Sequence, residues 1–582
     1  MKTSVFALLF SLCCGAAFGR NSADTSRSGT GASFSGIVIP ASDFLADLPK
    51  NDQMADAGAL KESWVFNNTA IVLHSPTNLL KKVQARAGLY RLYVRGRGGR
   101  GSSFKVAVND TLTAATFGGD SLSLQYGGTF RLKEGLNDIK ITRIHPGAVV
   151  DVLVLTQDQK VTEEDLKSRQ LHPEVNLLKE YAIPNSNAVK FGDVTGDGAT
   201  DFMVLSPDFS ATVFDNSGKQ LWTYSAPEAG GRQRSEFEAP GVLWDFDGDA
   251  RAEVVHWRFL DGKEWLVIAD GQTGAIKKQA PWPTRPLPHE YNNFRLAIGK
   301  LDHKKGAHIL CFTDMGGTIN VSAYTPALER LWSHDEERKK DNLGHYIYPV
   351  DLDRDGIDEV LVGSLLLNAK GQRIWDRFAL LGDNHDHADS YKFADVDRDG
   401  RLDIVTANSE TGVFVYKAMS GAIIWQQTAE HSQQLQVGDF LDRQPGPQVV
   451  VGGRTYGNRQ AGEPYLWSQL YWFGNKGDFL FKWPGNPING NPDFVKGSWR
   501  GQGPDDLFWF KFHLNRSGQG RLFFPDPVFH MFDFTGRGAE EVITLNRNVL
   551  RVYGCATARH SGNDRKKDPA YLKSVVVNHT HY

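Results

Sequence analysis

From about residue 173 to the C-terminus the chain repeats one motif: an apolar strand, an acidic turn and a second apolar strand. Five copies are clear: VKFGDVTGDGATDFMVL, GVLWDFDGDARAEVVHW, YPVDLDRDGIDEVLVGS, YKFADVDRDGRLDIVTA and HMFDFTGRGAEEVITL. Three are degenerate: LAIGKLDHKKGAHILCF, LQVGDFLDRQPGPQVVVGG and FVKGSWRGQGPDDLFWF. Counted from the first acidic position or its equivalent, the copies begin at Asp193, Asp245, Asp302, Asp351, Asp395, Asp439, Ser498 and Asp533. One such unit cannot bury its apolar face alone, so neighbouring units must stack. Most intervals are about 44 to 59 residues, room for four short strands and their turns, which is one blade of a β-propeller. Eight copies predict an eight-bladed ring. The short last interval, Ser498 to Asp533, leaves a seven-bladed ring with one irregular copy open.

The composition agrees with an all-β chain. Fifty-nine Gly, 34 Phe, 17 Tyr and 14 Trp against 6 Met suit short strands and tight turns better than a helix bundle. Residues 36–157 carry alternating segments such as FSGIVI, SWVFNNTAIVL, SFKVAVN and VVDVLVL between Gly- and Asn-containing turns, which predicts a β-sandwich. Within it GLYRLYVRGRG and LKEGLNDIKITRI resemble carbohydrate-binding-module-like jelly rolls. A purely structural accessory domain fits the same pattern. Residues 158–172 predict a polar, short-helical connector to the propeller of 173–582, and the Ser/Gly/Thr-rich residues 20–35 a flexible lead-in.

Residues 1–19, with Lys2, an apolar run from Val5 to Phe18 and small residues at Ala17 and Gly19, read as a cleaved signal peptide. The expected location is secreted or periplasmic, with no membrane attachment after cleavage. Beyond the signal only Cys311 and Cys555 remain, so the chain is no disulfide scaffold, and one bridge between them stays open. Sixty-five Lys+Arg against 68 Asp+Glu, a net charge of −3, excludes a nucleic-acid partner held by phosphate contacts. The expected state is a monomer.

Carboxylates alternating at turn positions 1, 3 and 5, with glycine at 6 for the sharp bend, suit a hard cation such as Ca²⁺. The turn at Asp351 offers Asp351, Asp353, Asp355 and Glu359, and the turn at Asp395 offers Asp395, Asp397, Asp399 and Asp403. Neither has the distal glutamate of an EF-hand. Weaker versions stand at Asp193 (with Asp197 and Asp201, but Thr195 at position 3) and Asp245 (with Asp247, Asp249 and Glu253, but Ala250 at position 6). The other four turns place Lys304, Leu441, Gln502 or Arg537 at ligand positions and are expected to be metal-free. The repeat resembles the FG-GAP (VCBS) family, and the resemblance implies that the turn joins the innermost strand of a blade to the second. The expected role of Ca²⁺ is mainly structural.

If the acidic turns share one face, residues leading into each inner strand lie on the opposite face. Those positions hold Tyr291, Asn292 and Arg295; His345 and Tyr346; His385, His387 and Asp389; and His431 with Gln433. Residues ending the second strand reach the same face: His256, Arg258, Asn408, Arg454 and Trp509. A repeat can place histidines there merely to bind one blade to the next, and converging imidazoles would also suit zinc, although no HExxH spacing supports it. Glycoside hydrolysis wants paired carboxylates, for which Asp389, Glu430 and Glu290 are available. β-Elimination from a uronate wants a carboxylate partner, a base and an acid, roles that Arg, His and Tyr fill.

The sandwich-plus-propeller layout resembles the propeller polysaccharide lyases, especially rhamnogalacturonan lyases, with ulvan lyases as a related group. The resemblance implies an acidic polysaccharide substrate. His387 and His345 are the expected bases, Tyr291 or Tyr346 the acid, and Arg454 and Arg295 the carboxylate partners. His431, His385 and Asn292 are expected to bind substrate, and Trp499 and Trp509 to stack on sugar rings. A non-catalytic propeller binding a glycan or protein, and a glycoside hydrolase, are the alternatives.

Overall fold

The structure is a computed structural model that describes residues 36–579 apart from short segments, the longest being 168–174, 227–239, 284–292, 338–343, 381–385, 456–466, 487–493 and 515–519. The signal and lead-in expected at 1–35 lie outside the described residues. The described chain is all-β. No helix in it is long and apolar enough to cross a membrane.

The N-terminal part is two antiparallel sheets. One orders Gln53–Ala55, Ala70–Leu73, Ala148–Thr156, Gly88–Arg97 and Ser123–Leu132, with Gly36–Pro40 also on Ala148–Thr156; the other orders Leu79–Ala85, Gly135–His145, Ser103–Val108 and Thr111–Leu112. Alternation decides which faces meet: in Leu79–Ala85 residues Leu79, Val83 and Ala85 are buried and the residues between them are not. Leu92, Val94 and Leu153 of the first sheet and Phe104, Ile139 and Ile141 of the second form one core. The connector helix Glu163–Lys167 begins at a capping box, with Thr162 and Asp165 exchanging backbone and side-chain hydrogen bonds. It closes over Arg95, whose guanidinium meets the fully buried Asp151 at 2.5 Å, Glu163 at 3.3 Å and the Trp64 ring at 3.8 Å.

Eight four-stranded antiparallel sheets follow, here I to VIII. Their first strands are Ala188–Gly192, Gly241–Trp244, Asn293–Gly299, Ile347–Val350, Ala388–Ala394, Ser432–Gly438, Phe494–Gly497 and Val528–Phe532. Strands run in chain order within I to VII. Sheet VIII takes three strands from the end of the chain and its fourth, Val175–Ala182, from the beginning of the region, paired with Val549–Cys555. First strands touch from I to IV and from V to VIII. The Tyr348 and Tyr391 rings, 5.4 Å apart, join IV to V, and those of Phe191 and Phe532, 5.0 Å apart, bring VIII back to I.

Second strands are buried on both faces, as in Asp201–Leu205 and Glu359–Val362, and read as continuous apolar runs; fourth strands such as Ile276–Pro281 are exposed. A repeated tryptophan staples sheet to sheet. The fourth-strand indoles of Trp222, Trp332, Trp375 and Trp425 donate 2.8–3.0 Å bonds to Gly271, Ala369, Ala418 and Asn475 carbonyls of the next sheet. Gly274, Gly371 and Gly477 have φ of 72°, 74° and 80°, and a Cβ on each would strike the indole within 2.9 Å.

The sandwich rests on sheets VI and VII. Its core continues into Phe440, Trp472, Trp509 and Phe512, and the 3₁₀ helix Ala41–Asp47 packs on Phe479–Asn486 and Gly520–Phe523. Cys311 and Cys555 are both buried free thiols, so the bridge left open by the sequence is not formed.

Candidate active site

Every acidic turn follows its first strand, so the start of each first strand lies at the opposite end of its sheet. At that opposite end, between sheets IV and V, three expected residues come together. His387 Nε2 lies 3.0 Å and His345 Nε2 3.4 Å from the same oxygen, Oδ1 of Asp389. The two imidazoles meet edge to face at 4.7 Å. Asp389 is fully buried and His345 is buried with 10% side-chain exposure, while His387 keeps 17%, so His387 is the more accessible of the two imidazoles over the carboxylate.

Local backbone explains the convergence. The pairing of Ala388–Ala394 with Asp403–Asn408 skips from Ala388 to Ser390, which makes Asp389 the extra residue of a β-bulge. Ser432–Gly438 skips in the same way at Gln433. The two bulged side chains meet: Gln433 Nε2 donates to Asp389 Oδ2 at 2.5 Å. His387 is fixed through its backbone, which donates to Ser409 Oγ at 3.3 Å and accepts from Ser409 N at 2.9 Å. Asp386 holds the same turn, accepting from Glu410 N and Thr411 Oγ1 at 2.9 and 2.7 Å. His345 arrives from a turn at Gly344, φ 73°, where a Cβ would lie 2.3 Å from Ala388 O and 2.5 Å from Tyr391 Oη.

Electrostatics follow from burial and this shared oxygen. Burial alone would raise Asp389, but the charge of His387 and the hydrogen bonds from both histidines outweigh it and hold the carboxyl at about 2. Burial pushes His345 below the usual imidazole range, against the pull of Asp389. The site at neutral pH is therefore an ionised carboxylate beneath a neutral His345. His431 stands at the rim, Nδ1 3.3 Å from Glu410 Oε1.

Other expected residues are placed differently. Arg295 is 1% exposed and lies over the Tyr346 ring at 5.1 Å, and Tyr346 is 2% exposed. Both are buried side chains, so neither presents itself to a polymer. Trp499 and Trp509, expected to stack on sugars, are core residues at 0% and 1% exposure, the first packed on Phe508 and the second in the core under the sandwich. Arg454 lies on strand Gln448–Thr455. Tyr291, Asn292 and His385 lie outside the described residues. Asp389, which joins the two histidines, was read from the sequence only as a neighbour and a hydrolase carboxylate.

The acidic turns share one hydrogen-bond scheme. At Asp351, the position-1 carboxylate accepts from Gly356 N at 2.9 Å and Glu359 from Leu352 N at 3.1 Å; at Asp395 the equivalents are Gly400 N at 2.9 Å and Asp403 with Val396 N at 3.0 Å. Asp351, Asp353 and Asp355 converge, and Asp351 Oδ1 is a buried oxygen without a hydrogen bond, which fits a cation. Burial, assisted by Asp353 and Asp355, raises Glu359 to about 7. Asp395, Asp397 and Asp399 also converge, yet Lys417 Nζ stands 2.6 Å from both Asp397 and Asp399 and 3.5 Å from Asp403. At Asp245 and Asp247, Lys277 Nζ reaches Asp247 at 2.8 Å and Glu253 at 2.6 Å, while Asp249 accepts from Arg251 N. Asp193 spends both oxygens on Gly196 N and Gly198 N, and Asp201 accepts from Thr195; Asp197 accepts from Ala199 N.

No protein-family model matches the chain. Rhamnogalacturonan endolyase YesW of Bacillus subtilis (strain 168) is 23% identical over 337 residues, 47% of this chain and 52% of the relative. The chain thus matches about half the length of that curated relative. Among solved structures, rhamnogalacturonan lyase YesW aligns at 18% identity and TM-score 0.55 over 83% of this chain and 90% of that one. Rhamnogalacturonan lyase PL11 of Bacillus licheniformis aligns at 15% identity and TM-score 0.55, covering 93% and 96%. Exotype rhamnogalacturonan lyase YesX aligns at 15% identity and TM-score 0.52, covering 91% and 95%. The fold of this chain is rhamnogalacturonan lyase-like.

Proposed function

We propose that this chain is a secreted polysaccharide lyase in which sheets I to VIII are the blades of a propeller and a rhamnogalacturonan-like glycan is cleaved at the end opposite the acidic turns. The observation that carries the reading is the pair of imidazoles, His345 buried and His387 partly exposed, on one buried carboxylate, in a fold shared with rhamnogalacturonan lyases. His387 takes the proton α to the uronate carboxyl; the C–H electrons form the new double bond and the glycosidic C–O bond breaks toward its oxygen. Asp389 stabilises the imidazolium that results. Arg295 and Tyr346 being buried, Arg454 is the proposed carboxylate partner and Tyr291 the proposed acid. The turn at Asp351 is the proposed structural Ca²⁺ site.

A second reading rests on one distance. The ligand atoms of His345, His387 and Asp389 all lie within 4.8 Å of one another, so these residues would also suit a cation that neutralises the substrate carboxylate. The test is His387→Ala, followed by both glycan affinity and turnover. Retained binding with lost turnover supports the lyase. Loss of neither removes His387 from the role of base, and a wild-type protein that binds the glycan without cleaving it makes the chain a binding protein. Turnover abolished by a strong chelator and restored by metal selects the cation reading over the free base.

A further inference from the structure

The terminal stretch YLKSVVVNHTHY plays no part in the site above, yet its described portion is bonded to several of the sheets. After the strand Val549–Cys555 the chain turns back and contacts first strands that belong to different sheets. Lys566 Nζ bridges the I–VIII junction, donating to Thr200 Oγ1 at 2.7 Å and Phe534 O at 3.0 Å. Tyr571 Oη donates to the buried Glu540 and accepts from Asp533 N, both at 2.9 Å, and Arg565 meets Glu540 at 2.5 Å. Lys573 Nζ grips both oxygens of Asp358 in sheet IV at 2.5 and 2.6 Å. The Asn578 amide pairs with N and O of Ile298 on the first strand of sheet III, each at 2.8 Å. His579 stacks on His530 of sheet VIII at 3.9 Å, and its carbonyl accepts from Lys190 of sheet I at 2.8 Å.

Apolar contacts follow the same path. Val577 joins the core of sheets I to III and Val576 that of VIII and I, both almost fully buried. Against IV and V the segment leaves a cavity of about 300 Å³ lined by Tyr348, Asp351, Tyr391, Lys392, Lys573 and His579. A single segment that touches I, II, III, IV and VIII, whose first strands come together from far apart in sequence, must lie where those strands converge.

We infer that residues Arg565–His579 are a plug: a basic, amphipathic peptide that the chain's own central channel binds, locking the junction of sheets VIII and I and closing the channel so that a polymer runs across the ring and never through it. The lock adds to the strand Val175–Ala182, which closes the same junction at the outer edge. The inference rests on the ring of blades and not on the lyase chemistry, and its readouts use no turnover.

The direct test compares three proteins by thermal melting and amide hydrogen exchange: the full chain, the full-length double variant Lys573→Ala/Asn578→Ala, and a chain ending at Asp568 with or without a synthetic peptide of residues 569–582. The double variant is expected to melt lower by roughly 5 °C and to exchange amides of Ala188–Gly192 and Asn293–Gly299 at least tenfold faster, with Gly88–Arg97 unchanged. The peptide is expected to bind the shortened chain saturably and raise its melting temperature, whereas a peptide with Lys573 and Asn578 replaced by alanine does neither. A double variant that melts and exchanges like the full chain overturns the plug. Equal acceleration in the first strands of sheets I to VIII and in the sandwich also overturns it, since the segment would then be a general stabiliser.

Discussion

Gln433 Nε2 and Asp389 Oδ2 are 2.5 Å apart, and each residue is the extra one of a β-bulge in the first strand of its own sheet. Bulges re-aim side chains. Here two of them turn a carboxylate out of sheet V and an amide out of sheet VI until they meet, leaving Oδ1 for two histidines. The site is thus built from consecutive sheets at one recurring position, and its chemistry depends on backbone irregularity.

Asp389→Asn keeps the shape and removes the charge that stabilises the His387 imidazolium. Turnover should fall roughly 10²- to 10⁴-fold with little change in KM, because the buried carboxylate does not meet the glycan. Gln433→Glu, which places a second carboxylate against Asp389, should shift the pH profile to higher pH, whereas Gln433→Leu should lower turnover without moving it. Steady-state kinetics across pH separates them.

The carboxyl of Asp389 titrates at about 2 in the fold against 3.8 unperturbed, so the unfolded chain binds its proton first on acidification. Its contribution, about 2 kcal/mol, is fully present above pH 4 and is lost as the pH falls toward 2. His345, lowered by burial, adds to this at higher pH: below about 6.5 the unfolded chain takes up a proton that the fold resists, so stability declines from there downward. Denaturant melts between pH 5 and 2 should show the loss of the Asp389 contribution in the wild type and no such loss in Asp389→Asn.

Gly344→Ala meets both a positive φ and the Ala388 carbonyl at 2.3 Å. Stability should fall by about 1–3 kcal/mol and activity more than that implies, since the strained turn carries His345. A variant as active and as stable as the wild type would remove this turn from the account.

Calcium should act mainly through the turn at Asp351. Chelation is expected to lower the melting temperature, and Asp351→Asn should abolish most of that response. Lys417 already places an ammonium among Asp397, Asp399 and Asp403, so Asp395→Asn should matter less. Lys417→Met should be destabilised in chelator and rescued by added Ca²⁺, which titration calorimetry would register as a new or tighter site.

Trp499→Ala and Trp509→Ala remove core indoles. Each should cost about 3–5 kcal/mol of stability and leave the glycan affinity of the folded fraction unchanged.

The repeat was legible because acidic turns between apolar strands recur at a readable interval, and all eight sites of the turn fall between the first and second strands of sheets I to VIII. His345 and His387 were legible for the same reason: their offset from the turn fixes the end of the sheet. Asp389 was legible on the same face and as a carboxylate, but its place beneath both histidines was not, because a bulge breaks the two-residue alternation that assigns side chains to faces. The signal that remained was the spacing His387-x-Asp389. Trp509 failed as a sugar platform because an offset along a strand gives the end of the sheet and not the burial, and Trp499 because it follows Ser498 in the turn, where its ring packs on Phe508. The inter-sheet staple was present as Leu-Trp or Ile-Trp in QLWTY, RLWSH, RIWDR and IIWQQ, and it went unread because its partner glycine lies in the next unit.

Elimination at the imidazole pair is decided by its product. Purified full-length protein is incubated with rhamnogalacturonan in Ca²⁺, and the ultraviolet absorbance of unsaturated uronate is followed beside a reducing-end assay, with His387→Ala in parallel. Both signals are expected to rise together for the wild type, and His387→Ala is expected to bind the glycan without either. New reducing ends with no ultraviolet change, which is hydrolysis, or undiminished absorbance from His387→Ala would contradict elimination at this pair.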